Sequence, residues 1–131
     1  MTTEELEKID MELFKLCYPN FAKFRVYEDY FVYDNGEFFP VDLPRFTKSP
    51  TACFSVLIPE MNRRDWELIE LHQKINEDGI CVQWDATFRN IITMKEVDGR
   101  WVLTKDESGG VQTAICLAAI KAIKSMEAQN G

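Results

Sequence analysis

His72 is the only histidine in the chain, so any Ser–His or Cys–His nucleophilic chemistry would have to run through it. Read as helical, its neighbours three and four residues away are Leu68, Ile69, Ile75 and Asn76. None is a general-base partner or a metal ligand, so the expectation is a histidine at the edge of the core. A Cys81–His72 dyad would need the fold to bring the two together. The four cysteines, Cys17, Cys53, Cys81 and Cys116, are about thirty residues apart and sit in apolar stretches. Zinc-site spacing is missing, and the acidic start Met1-Thr2-Thr3-Glu4-Glu5 has no apolar core of a signal peptide, so no disulfide frame is expected. They read as small buried hydrophobes.

Ser108-Gly109-Gly110 stands where a helix should open. Free N–H groups and a helix dipole there can hold a phosphate or carboxylate. The loop lacks the lysine and following hydroxyl of a P-loop, and Asp106 and Glu107 oppose an anion, so an ordinary connection is the plainer reading. The acidic groups Glu28-Asp29, Asp34 and Asp106-Glu107 have no calcium-loop spacing. No catalytic residue, metal ligand or cofactor is assigned. Of thirteen Phe and Tyr residues, ten lie between Tyr18 and Phe46. Alternation cannot turn them all to one face, so the excess could line a cleft or an interface. The candidate binding residues are therefore Tyr30, Tyr33 and Phe38, with Ser108, Gly109 and Gly110.

The elements that must position these groups are well marked. Thr2 and Glu5 form a capping box, and Leu6, Ile9, Leu13, Leu16 and Cys17 make one apolar stripe before Pro19 stops the helix. Tyr30 to Asp34 and Glu37 to Val41 read as a hairpin about Asn35-Gly36, with Phe24 and Val26 either extending it or forming an earlier short strand. Ser49-Pro50 opens a second helix carrying Ala52, Cys53, Val56 and Leu57, which Pro59 breaks or kinks. Asn62 would cap a further helical piece holding Trp66, Leu68, Ile69, Leu71, His72 and Ile75, stopped by Asp78-Gly79. Ile80 to Trp84 reads as a strand. Phe88 to Val97 and Arg100 to Thr104 read as a hairpin about Asp98-Gly99. A closing helix opens near Ser108-Gly109-Gly110 and runs to about Met126, apolar on most sides from Val111 to Ile123 and so buried deeply. The order predicts an α+β fold, with residues 1–131 as one domain. The architecture expected is a three-layer α/β/α sandwich around a mainly antiparallel sheet of about five strands, hidden from water on both faces.

With 46% hydrophobic and 28% charged residues the composition of the 131-residue chain is globular. Fifteen basic against 22 acidic residues leave a net charge of −7. That balance makes nucleic acid an improbable partner and disfavours anionic membranes. No apolar run reaches the ~18 residues of a membrane helix. A reducing cytoplasm is the expected location.

The stretch Pro44-Arg45-Phe46-Thr47-Lys48-Ser49-Pro50-Thr51-Ala52-Cys53, ending at Leu57-Ile58-Pro59-Glu60, resembles the phage ABA-sandwich domain family. So do the strand end Gln83-Trp84-Asp85-Ala86, the Asp98-Gly99 hairpin and the helix Gly110-Val111-Gln112-Thr113-Ala114-Ile115-Cys116-Leu117-Ala118-Ala119. The resemblance covers roughly residues 30–126 and implies a phage or prophage origin and the sandwich fold, with no assigned activity and no functional residues. The expected function is that of an accessory protein that binds a host or phage protein. The alternatives are sequestration of a small anionic, nucleotide-like ligand and an enzyme dependent on His72. The unplaced aromatics leave room for a homodimer.

Overall fold

The computed structural model describes residues 3–18, 23–26, 30–34, 40–103 and 110–130. The first helix, α1 (Thr3–Cys17), buries Leu6, Ile9, Leu13, Phe14 and Cys17; of the stripe expected from the spacing Leu16 is only half-buried, and Phe14 joins it. Strands β1 (Lys23–Val26), β2 (Tyr30–Asp34) and β3 (Pro40–Pro44) form one antiparallel sheet in that order. Asp34 lies opposite Pro40, where a two-residue turn would have put Glu37. The second strand is thus displaced along the chain from its expected place, and Asn35 and Gly36 lie outside the described residues.

Residues 50–63 form a continuous helical rod: α2 (Pro50–Ala52), a π-helical turn (Cys53–Leu57) and α3 (Ile58–Arg63). Ser49 caps it as expected, accepting from the Ala52 amide at 3.1 Å. Pro59 does not break the rod. It lacks an N–H and its ring crowds the carbonyl four residues earlier, and the widened turn just before it accommodates both faults.

The stretch expected as a helix after Asn62 is instead a strand, β4 (Trp66–Ile75). It pairs with β5 (Cys81–Asn90), which pairs with β6 (Glu96–Val102), all antiparallel. A register shift between Leu68 and Glu70 explains the misreading. It moves the alternation on by one residue, so Trp66 and Leu68 share a face with Leu71. The resulting apolar spacing of three imitates a helix. Asp78-Gly79, read as a helix stop, belongs to the β4–β5 turn. There Gly79 takes φ +78°, and the Asn76 carboxamide accepts from Asp78 and Ile80.

Asp98-Gly99 likewise is not a turn; it lies inside β6. The reversal is at residues 91–95, where the Asn90 side chain accepts from the Ile92 and Thr93 amides. Gly99 is needed for contact instead: a Cβ there would stand 2.3 Å from both the Ala114 carbonyl oxygen and the Ala118 nitrogen. Those atoms belong to α4 (Val111–Asn130), which lies directly on β5 and β6 and also against α1. Its residues Thr113, Ala114, Ile115, Cys116, Ala118, Ala119, Ile120, Ala122 and Ile123 are buried, as its composition predicts.

The expected single sheet of about five strands is therefore replaced, among the described residues, by two sheets of three strands. The expected covering of both faces is also not seen in the second sheet. Helices α4 and α1 stack on one side of it, and the other side is polar and open.

A buried carboxylate ties these layers together. Asp10 of α1 accepts from Arg45 Nε at 2.7 Å, from Thr47 Oγ1 at 2.5 Å and from the Thr47 amide at 3.0 Å. Gln112 of α4 donates to the Thr47 carbonyl at 3.2 Å. Arg64, just past α3, donates to the Leu16 carbonyl at the end of α1.

Two substitutions test this packing. Gly99→Ala should lower unfolding free energy by about 3 kcal/mol, because backbone atoms rather than flexible side chains must move; a denaturant midpoint equal to the parent's would contradict the close approach. Asp10→Ala removes one partner of a buried ion pair and should cost about 3–5 kcal/mol. A melt showing a loss below about 1 kcal/mol would mean that the carboxylate does not hold the layers.

Candidate functional site

Apart from the register shifts in β4, the second sheet alternates between two faces. Trp66, Ala86, Phe88, Gly99 and Trp101 are buried on the side of α4. The opposite side is a ladder of polar rungs set by the register. Glu67, Arg89 and Glu96 form one, Glu70, Thr87 and Asp98 the next, then His72, Asp85 and Arg100, then Lys74, Gln83 and Val102. The two middle rungs line an open cavity of about 510 Å³, joined by Lys121 of α4. Lys121 Nζ donates to the Asp98 main-chain oxygen at 2.7 Å.

Asp85 is the best-organised group on this face. It accepts from Arg100 Nε at 2.9 Å and from Gln83 Nε2 at 3.2 and 3.0 Å. Partial burial pushes its carboxyl up. The hydrogen bonds from Arg100 and Gln83, together with the charges of Arg100 and His72, outweigh that and hold it below the usual carboxylate range. Thr87 Oγ1 donates to Asp98 at 2.6 Å. Each side chain is thus aimed by a neighbour, but the face stays in water: Arg100 is 68% exposed.

His72 is exposed on β4, opposite Asp85, and not at the edge of the core as expected. The cause is the strand: the rung puts it on the solvent side. Cys81 is not brought to it. That residue lies opposite Ile75, three positions or about 10 Å further along β4, and its thiol points to the Gln83 carbonyl.

The candidate binding residues fall on different elements. Tyr30 lies on β2 and is 40% exposed. Tyr33 faces Val41 in the β2–β3 register, and its side chain lies outside what is described. Phe38, Ser108 and Gly109 are outside the described residues. Gly110 precedes α4, and its carbonyl accepts from Thr113 and Ala114.

The cysteines are free, and Cys17, Cys53 and Cys116 are buried, as read; Cys81 is half-buried. Burial pushes the Cys17 thiol up to about 12, with the Arg64 charge opposing and Glu60 adding to it. Burial and the neighbouring Cys53, whose sulfur is 3.7 Å away, raise Cys116. Such thiols stay protonated and are poor nucleophiles.

Sequence reasoning missed Asp85, Thr87, Asp98 and Arg100. Their signal was the alternation itself, Gln83, Asp85, Thr87 and Arg89 at every second position. Taking Trp84-Asp85-Ala86 as a strand end and Asp98-Gly99 as a turn cut that pattern in two places.

No family model, no curated protein and no solved structure matches the chain. Among the described residues, no helix is long and apolar enough to cross a membrane, and no three His, Cys, Asp or Glu side chains converge as a metal site.

Because the folded carboxyl of Asp85 is lowered from 3.8, its contribution to stability is present above pH 3.8 and is lost as pH falls through the lowered folded value. Arg100→Ala should raise the Asp85 titration midpoint, read by carboxyl NMR. A midpoint unchanged from the parent would show that Arg100 does not set it.

Proposed function

We propose that the protein is a phage-type accessory protein that acts by binding, not catalysis, and that it holds a host or phage protein on the open polar face of β4, β5 and β6. The observation that carries this reading is the His72–Asp85–Arg100 rung. It is an aligned set of opposite charges left in water on a broad sheet face. A catalytic site gains from excluding water around its reacting groups, and this face does not do so. Small-molecule sites are concave and lined mainly by apolar groups. The cavity here has the volume of such a site but a polar, open lining, which suits a wide, mixed-charge partner surface. Arg100 and Lys121 stand among the carboxylates Glu70, Asp85 and Asp98, so a partner would be selected by the positions of these charges more than by net charge.

The kinship with the phage ABA-sandwich family belongs to this proposal, as does a location in the host cytoplasm. A full sandwich would cover both faces of a central sheet. Here the chain leaves one face of its second sheet uncovered, and the partner takes the place of the missing layer.

The test is crosslinking followed by mass spectrometry in the producing cell, comparing the parent with Arg100→Glu and with Lys8→Glu, an exposed α1 control. A partner captured by the parent and the control, and reduced at least about tenfold by Arg100→Glu, is the expected result. A capture profile indifferent to Arg100→Glu in a protein with an unchanged melt would remove this face from consideration.

A further inference from the structure

The second sheet also has a free edge. In the order β4-β5-β6, strand β4 pairs only with β5 among the described strands. Its outward N–H and C=O groups are a template for another strand. Register shifts at Leu68/Glu70 and at Lys74/Ile75 bracket one regular run, Glu70 to Lys74. Every residue of that run is exposed, including Leu71 at 37%, and Ile75 just beyond it is 54% exposed.

Natural edges are often protected by charge, most simply by like charges that repel a second copy. This run carries the reverse arrangement. Glu70, His72 and Lys74 share the polar face, and Leu71 and Gln73 share the other. Antiparallel pairing about a two-fold axis at His72 sets Glu70 opposite Lys74 of the second copy, and does so twice. Leu71 meets Gln73 of the second copy, and His72 faces its own copy at the axis. Side chains directly opposite in such a pair must share a face, so a two-fold axis passes through a residue position. Centring on Leu71 or on Gln73 carries part of the run into a register shift. Centring on His72 keeps all five residues regular and pairs both charges with their opposites. On the β5 side, Glu70 and Lys74 sit beside the uncharged Thr87 and Gln83, so neither charge is matched directly across that strand pair.

We propose that two copies of the chain associate by antiparallel pairing of their β4 edges, centred on His72, to make one continuous six-stranded sheet. The occupant of the edge is a second copy because the sign pattern is complementary to itself. The polar faces of the two copies then run together on one side. This inference does not depend on the function proposed above: the edge and the face point in different directions, and either can fail alone.

Sedimentation of the parent, Glu70→Lys, Lys74→Glu and the double exchange tests it, with melts to verify folding. The parent should be a dimer. Each single reversal puts two like-charged pairs across the axis and should raise the dissociation constant at least about tenfold. The double exchange should restore it, since it regenerates both pairs with signs reversed. A parent that stays monomeric to about millimolar, singles without effect, or a double exchange as weak as the singles would each overturn the proposal. A second measurement avoids charge altogether. His72→Cys should crosslink to its own copy with oxidised glutathione, because directly opposed Cα atoms about 4.5–5.5 Å apart lie within disulfide range. Glu70→Cys should not, since it faces Lys74. Equal crosslinking of the two would reject the His72-centred register.

Discussion

Helix α4 can touch the second sheet only because position 99 has no side chain. Two α4 backbone atoms, the Ala114 carbonyl oxygen and the Ala118 nitrogen, stand 2.3 Å from where a Cβ would be. The helix therefore lies on β6 at backbone distance, and its alanines replace the larger side chains that would hold it off. Much follows from that approach. Trp66, Phe88 and Trp101 fill the space on this side. With α4 pressed between the sheet and α1, the hydrophobic layer is built on one side. The charged alternate residues are then left on the other, where burial without partners would be costly.

The buried polar cluster answers a different need. Helix α1, the segment 45–49 and α4 are distant in sequence and share little regular pairing. Asp10 accepts three hydrogen bonds from that segment, and Gln112 bonds its carbonyl. Burying an ion pair is a weak source of net stability, since desolvation offsets the attraction. Its stronger effect is geometric. A carboxylate held by two side chains and one backbone amide admits few alternative positions for the segment that enters the helical rod. The rod in turn carries Cys53 against Cys116 of α4, and Arg64 reaches the end of α1. The polar contacts set the relative placement of elements whose apolar faces could slide.

Legibility in the sequence divided along one physical line. Helix α1, the Ser49 cap and the buried α4 were readable, because their signals are local and uninterrupted: a capping residue, a stripe, a run of small apolar residues. Strand β4 was not. The shift between Leu68 and Glu70 is set by pairing with β5, and it erases the period-two pattern that would have announced a strand. Gly99 failed for a related reason. Asp-Gly is a turn signal when nothing else claims the glycine, and here a helix far along the chain does. The site was hidden by the same two errors. His72 looked apolar in its surroundings only on helical neighbours. On strand neighbours its partners are Asp85 and Arg100, which no short-range spacing connects.

One-sided covering also explains why strand β4 carries both candidate surfaces. A strand in the middle of a sheet could offer a face but no edge. A strand covered on both sides could offer an edge but no polar face. Strand β4 is terminal and half-covered, so its side chains meet solvent on the open face while its backbone groups meet solvent along the edge. The β4–β5 hairpin adds length to both, because the exposed residues 70–80 carry the strand pair and its turn beyond the deeply buried zone. Partner binding perpendicular to the sheet uses the side chains of the open face, and strand pairing in its plane uses mainly the outward main-chain groups of β4. Only the Glu70 and Lys74 side chains serve the seam as well as the face, and joining two sheets edge to edge would double the polar ladder without covering any rung of it.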